Sequence, residues 1–417
     1  MWGLELLRRY QLSNKIEVVT QRVPHLRSIA LGVWIRVGSV NEQREINGVS
    51  HLLEHLFFKG TKTRTARQIM ESLEGMGGSA NAFTSREYTC LYARILDAHV
   101  DVAVEILADI LLNSTFRDLE KEKAVVAEEI QSYIDTPEEH VLDLLSSVMW
   151  RRHPLGFSIT GSKRALARLN LGIVKDYYRR WYVPSNILIA AAGHFEHDAL
   201  RNLFEKHFGG LNGTGTKYEY EPPRVRAAKR LHFRRIGQEH ITIGAPGVSA
   251  DHPKRYAFNL LANILGGSTL SRLYQRVREE EGLVYQINTF LSSFRRTGLL
   301  GIYAAVNPRQ TQKAVDIVFE ELSRIKADKV PDEELRSAKE QLKGNIVLAL
   351  ESTSGRMMRL ARSVLALNQV ESLKKIMQRI EDVTAEEIRD LANDLLRDEV
   401  INFVALGPLK DIKLRPL

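Results

Sequence analysis

His51-Leu52-Leu53-Glu54-His55 sets two imidazoles and one carboxylate within a single helical turn. At about 100° per residue, positions 51, 54 and 55 fall inside an arc of about 100°. Two imidazoles one turn apart can bind one Zn²⁺, and a carboxylate beside them can take a proton from water at that ion. The order is HxxEH, the reverse of HExxH, so the carboxylate approaches the ion from the opposite chain direction. Leu52, Leu53, Leu56 and Phe57 supply the apolar faces that would hold such a helix rigid.

A catalytic zinc site wants a third protein ligand and an open position. The helical pattern from Arg117 to just before Asp135 contains DLEKEKAVVAEEI, in which Glu122 and Glu129 stand seven residues apart. They lie about 20° from each other around the axis, so both can face one site. Acidic residues on a helix are usually solvated, and this spacing carries weight only together with HxxEH.

Around these residues the chain reads as two copies of one domain. The break is GGLNGTGTKYEYEPP (209–223), where Gly, Thr, Asn and Pro replace periodic apolar sequence. Before it, alternation predicts strands at 16–20, 28–37, SANAFTS and YTCLYARI, and a closing strand at 186–193. Helices are predicted around GVSHLLEHLFF, ARQIMESLEGM, 97–111 and from DTPEE, with Asp135 or Thr136 as cap and Pro137 in the first turn. After the break come strands at 240–245, LVYQINTFL, GLLGIYAAV and 401–407, with helices at 253–265, 269–280, 308–326 and 331–350. Tyr92-Ala93 matches Tyr303-Ala304, and Ala103-Val104-Glu105-Ile106 matches Ala314-Val315-Asp316-Ile317, both at an offset of 211. A shared offset indicates duplication. The fold class is α+β: two homologous domains, each a mostly antiparallel sheet with helices packed on one face. The expected division is 1–208 as the metal-binding domain, 209–226 as linker and 227–417 as the second copy. That copy has DHPKRYAFNLLANILGG in place of HxxEH, so one zinc per chain is expected.

Composition excludes several classes. With 44% hydrophobic and 26% charged residues the 417-residue chain is globular, and no apolar run of about 18 residues marks a membrane span. MWGLELLRRYQLSNK has neither the apolar run nor the cleavage site of a secretory signal. The single cysteine, Cys90, rules out an intrachain disulfide and reads as a buried structural thiol; a reducing compartment, the cytoplasm, is expected. The net charge is +8, densest at PPRVRAAKRLHFRRIG (222–237). Without an interleaved aromatic platform this reads as a solvated linker entering a strand, not a nucleic-acid or membrane surface. His194 and His197 lack a third partner and read as solvated; His153 is assigned no chemistry.

GVSHLLEHLFFKGT, EKAVVAEEI and GGSANAFTSREYTCLYA resemble the signature of the M16 (pitrilysin-type) zinc metallopeptidases, over essentially the whole chain. The resemblance implies that Glu129 is the third zinc ligand, with Glu128 its rival, and that Glu122 supports the site. It also implies metal-assisted peptide hydrolysis with Glu54 as general base. In LSRLYQRVREEEGLVYQIN it singles out Arg278 and Tyr285 as groups that hold substrate carbonyls or the tetrahedral oxyanion.

Ser79, Ala80, Asn81, Ala82 and Phe83 have the small side chains of a sheet-edge strand, and the resemblance favours the edge. An extended peptide would add there through main-chain hydrogen bonds. Substrates would be peptides or unfolded segments. The resemblance implies a homodimer, or else a catalytic subunit of a heterodimeric processing peptidase with a metal-free partner chain. A scaffold role like that of respiratory bc1 core subunits goes with loss of motif residues, whereas His51, Glu54, His55 and Glu129 all stand here.

Overall fold

The computed structural model describes residues 6–215, 218–409 and 411–417. Residues 1–5 of the segment read for a secretory signal, and 216–217 of the linker, lie outside the described residues. The first half of the chain runs β1 (Leu7–Gln11), β2 (Glu17–Arg22), β3 (Ser28–Ile35), α1 (Val49–Phe57), α2 (Ala66–Glu74), β4 (Ser79–Thr84) and β5 (Thr89–Leu96). It continues with α3 (Val100–Asn113), α4 (Leu119–Asp135), α5 (Pro137–Met149), α6 (Lys163–Arg168), α7 (Leu171–Trp181), β6 (Ile187–Gly193) and α8 (His197–Phe208). The second half contains β7 (Ala228–Phe233), β8 (Glu239–Gly247), α9 (Arg255–Gly266), a π-helical segment Tyr274–Glu280, β9 (Val284–Ser293) and β10 (Gly298–Val306). It ends with α10 (Thr311–Ala327), α11 (Asp332–Ala349), α12 (Thr353–Leu367), α13 (Leu373–Glu381), α14 (Ala385–Leu395) and β11 (Asn402–Gly407).

The fold is α+β, with two sheets of matching order. One is β1-β2-β6-β3-β5-β4 and the other β7-β11-β8-β10-β9. Leaving out β1, each strand of the first has a counterpart at the same place in the second. Even the single parallel pairing recurs, β2 with β6 and β11 with β7, the other pairings being antiparallel. Tyr92 lies in β5 and Tyr303 in β10, so the offset seen in sequence joins equivalent strands. The segment expected as an α-helix at 269–280 is π-helical over Tyr274–Glu280.

Strict alternation along the strands splits each sheet into two faces. On the first sheet, Ile29, Leu31, Val33, Ile35, Ile187, Ile189 and Ala191 enter one core with α1, α3 and α7. Val19, Ala30, Trp34, Cys90, Leu188, Ala190 and Ala192 point the other way and are covered by Met357, Leu360, Ala361 and Val364 of α12. Those four follow the i, i+3, i+4, i+7 spacing of a helical stripe. Because both faces are covered, β3 and β6 read as continuous apolar runs. Burial raises the Cys90 thiol pKa well above its usual value, as befits a packing residue.

The chain forms two compact units that are not contiguous in sequence: 1–131 with 157–219 and 348–370, and 132–156 with 220–347 and 371–417. The helix covering the second face of the first sheet therefore comes from the C-terminal half. Reciprocally, α5 of the N-terminal half packs on β8 and β11. A glycine in each central strand makes room: a Cβ on Gly32 would stand 2.6 Å from Met357 Sδ, and one on Gly244 2.9 Å from Leu145 Cδ1. A cut at 209–226 leaves each sheet without one of its covering helices. Residues 1–226 produced alone should show no cooperative thermal transition by circular dichroism, and co-production with 227–417 should restore one. A sharp transition for the lone fragment would contradict this packing.

Candidate metal centre

The first turn of α1 starts at Gly48, whose φ of 98° is left-handed and favours glycine. From there Leu52, Leu53, Leu56 and Phe57 are fully buried and fix the helix in the core. His51, Glu54 and His55 occupy the remaining side. Helix α4 presents Glu122, Val126 and Ile130 inward at four-residue spacing, with Glu129 beside them and Glu128 exposed to solvent.

The two helices bring three of the expected residues together. His51 Nε2 lies 3.5 Å from Glu129 Oε1, and His55 Nε2 lies 3.5 Å from Glu129 Oε2. Among the described residues, His51, His55 and Glu129 form the one group whose potential ligand atoms cluster, all within 4.8 Å of one another. A separation of 3.5 Å is long for a hydrogen bond. It suits two ligands of one four-coordinate ion, where metal–ligand distances of about 2.0–2.1 Å set tetrahedral neighbours about 3.4 Å apart. The donor set, two imidazoles and a carboxylate, is that of a catalytic zinc site with an open position. The residues present fit the ion.

The electrostatics agree with that fit. Burial drives the His51 imidazole well below its usual pKa, despite the neighbouring Glu129, which favours the neutral ring a cation requires. Glu129 is held below the usual carboxylate range, first by its contact with His55. His55 is raised, chiefly by its contact with Glu129.

Glu122 does not reach the cluster's centre. Its side chain is 1% exposed, with Oε2 3.4 Å from His55 Nδ1 and Oε1 3.0 Å from Lys59 Nζ. It therefore orients the His55 ring from behind, and Lys59 balances its buried charge. Glu54 stays outside the three-ligand group. Thr84 Oγ1 donates to Glu54 Oε2 at 2.6 Å. Burial raises the Glu54 carboxyl pKa, and that hydrogen bond acts against the rise.

Sequence reasoning missed both Lys59 and Thr84. Lys59 stands four residues after His55, and Thr84 closes the strand singled out for substrate, so each had a positional signal too weak to use alone. Strand β4 is the end strand of its sheet, with Ser79 and Asn81 exposed and Ala80 and Ala82 packed on the core. Phe83 turns to the face covered by α12.

Arg278 and Tyr285 come together in the second unit. The guanidinium carbon of Arg278 lies 4.8 Å from the Tyr274 ring centre and 4.9 Å from that of Tyr285, whose side chain is 77% exposed. In that unit α9 carries Ala262, Leu265 and Gly266 at the positions offset by 211 from His51, Glu54 and His55. Here the helix lies directly on β9: a Cβ on Gly266 would stand 2.8 Å from Thr289 N, and Thr289 Oγ1 donates to Ala262 O at 2.7 Å. No side chain fits where His55 stands in the first unit.

The three other histidines weighed in the sequence lie outside the metal cluster. His194 pairs with Asp97. His197, read as solvated, is buried with Nδ1 2.9 Å from Thr20 Oγ1; polar neighbours in a turn gave no sign of that burial. His153 Nε2 pairs with Glu221 O at 3.1 Å. No helix among the described residues is long and apolar enough to cross a membrane.

The family described as Insulinase (Peptidase family M16) matches residues 17–163, and that described as Peptidase M16 inactive domain matches 168–342. The uncharacterized zinc protease YmxG of Bacillus subtilis is 39% identical over 396 residues, covering 94% of this chain and 97% of the relative. An uncharacterized zinc protease of Streptomyces coelicolor is 35% identical over 422 residues, covering 98% and 91%. Among solved structures, a protease from Helicobacter pylori matches with a TM-score of 0.90 at 23% identity, over 96% of this chain and 99% of that one. A chain of complex III2 from Candida albicans matches with a TM-score of 0.85 at 21% identity, over 97% and 96%. At these identities the solved structures share the fold.

The geometry separates the acidic residues of α4 by role. Glu122→Gln should weaken metal binding about 10–100-fold in competition with a chelating indicator, because His55 loses its anionic partner. Glu128→Gln should leave affinity unchanged. Equal effects at the two positions would contradict the arrangement.

Proposed function

The chain belongs to peptidase family M16, its relatives in Bacillus and Streptomyces being named zinc proteases, and we propose that it is an active zinc-dependent endopeptidase. Its substrates are peptides or unfolded segments bound in extended form. The observation that carries this reading is the convergence of His51, His55 and Glu129 from two helices, with the half-buried Glu54 carboxylate alongside.

His51, His55 and Glu129 would hold one cation per chain. Bound zinc supplies Lewis acidity, lowering the pKa of water and polarising a carbonyl. Glu54 takes the proton from the attacking water and delivers it to the leaving amine. Thr84 holds that carboxylate in place, and Glu122 holds His55. The substrate chain pairs with the free edge of β4, from Ser79 to Phe83, through main-chain groups, so side-chain selectivity is broad. The 1–208 half carries the metal chemistry, and the 227–417 half contributes Arg278 and Tyr285 to substrate carbonyls and the developing oxyanion.

The enzyme acts in the cytoplasm as a homodimer. The heteromeric reading, in which a metal-free partner chain is required, is separated from this by whether the purified chain alone cleaves. The presence of His51, Glu54, His55 and Glu129 together argues against a scaffold role.

Glu54→Gln should keep stoichiometric zinc and lose about 10²–10⁴-fold in kcat on an unstructured peptide. A variant that still cleaves normally would overturn the base assignment. Tyr285→Phe should lower kcat by about 10²-fold with little change in KM, as expected for an oxyanion donor. A change in KM alone would assign Tyr285 to ground-state binding instead.

A further inference from the structure

The two metal-binding histidines are supported differently. His55 has Glu122 behind its ring, whereas His51 Nδ1 is buried without a hydrogen-bond partner among the described residues. The direction of His51 therefore depends on its backbone, the third residue of α1. The first turn of any helix leaves main-chain N–H groups without intrahelical acceptors. The cap residue of α1 is Gly48, which has no side chain to offer them.

A residue from an earlier turn supplies the missing acceptor. Gly48 N–H donates to Glu42 Oε2 at 2.7 Å, and Ser50 N–H donates to Glu42 Oε1 at 2.9 Å. Asn47 Nδ2 donates to the same Oε2 at 2.8 Å and to Ser158 O at 2.9 Å. Glu42 is 3% exposed, so its anion meets the positive end of α1 with little screening by water. Burial pushes the Glu42 carboxyl up to about 7, and these donors act against the rise.

The surrounding backbone leaves no slack. A Cβ on Gly48 would stand 2.7 Å from Thr160 O, and one on Gly161, at φ +81°, 2.3 Å from Asn47 O. Ser50 Oγ pairs with Tyr177 OH at 2.9 Å, tying the same turn to α7.

We propose that Glu42 is a positioning residue for the metal centre: its carboxylate replaces the missing cap of α1 and fixes the direction in which His51 presents Nε2. The inference rests on the reading of His51, His55 and Glu129 as metal ligands. A Gln at 42 would turn an amide N–H toward main-chain N–H groups, so the first turn would lose part of its anchor while the buried leucines keep the helix in place.

The test compares wild type, Glu42→Gln and Asn47→Ala in the full chain loaded with cobalt(II), following the visible spectrum, metal affinity, melting temperature and amide exchange at residues 48–51. Glu42→Gln should bind the metal about 10–100-fold more weakly, with an altered ligand-field spectrum and faster exchange of the Ser50 amide. A lower melting temperature with unchanged spectrum and affinity would overturn the proposal, leaving Glu42 purely structural. If Glu42→Gln does not fold, Asn47→Ala, which keeps the carboxylate and removes one donor, should show the same changes at smaller size; its equivalence to wild type would overturn the proposal. A wild type that takes up no metal would sink the metal reading alone. Exchange at Gly48 and Ser50 in the metal-free variants still decides the anchoring role.

Discussion

Two imidazoles one turn apart can share a cation only if their helix cannot move and a carboxylate reaches them from elsewhere in the chain. The first rests on the burial of α1 in the core of its unit, the second on α4, which carries Glu129 to both rings. Leu52, Leu53, Leu56 and Phe57 are fully buried, each stabilising the helix position by roughly 1.5–3 kcal/mol. The opposite side of the same helix is polar and placed at the end of the sheet, where Glu129 meets both rings and Thr84 meets Glu54. Burial makes the arrangement demanding. Glu122 has Lys59 as a counter-charge, and burial favours the neutral ring of His51, whose Nδ1 has no acceptor among the described residues. Removing any member leaves another buried polar group unsatisfied, which costs more than the lost contact.

The duplication shows the same frame built with and without chemistry. Sheet order, the parallel pairing and the glycine beneath a covering helix recur in both units. In the second, Ala262 and Gly266 let α9 settle on β9, and the space that the imidazoles hold open in the first unit is closed by main chain. Loss of the metal motif there is therefore more than a change of side chains. Exchange of α5 and α12 between the halves of the sequence makes each unit's second sheet face depend on the other half, so the copy that carries HxxEH cannot be separated cleanly from its counterpart.

Much of this was legible in the sequence, and the reasons differ from element to element. HxxEH and the seven-residue spacing of Glu122 and Glu129 are local and periodic, so helix geometry alone brought them onto single faces. The central strands announced themselves by apolar runs, and the duplication by its constant offset. The edge strands β1 and β7 escaped notice because half-exposed edges carry polar residues that break the alternation. The stripe of α12 has helical spacing, which carries no information on the sheet it covers. Glu42, Lys59 and Thr84 gain their roles from contacts with α1 and α4 that leave no spacing rule behind. The π-helical stretch around Arg278 has the same residues an α-helix would use, and its register is set by tertiary packing.

The central claim is tested most directly by crystals of untreated protein measured on both sides of the zinc absorption edge. One anomalous peak per chain is predicted, about 2.0–2.2 Å from His51 Nε2, His55 Nε2 and a Glu129 oxygen, with Glu54 outside bonding distance. A peak bound elsewhere, or a Glu129 carboxylate turned away from both rings, would contradict the account.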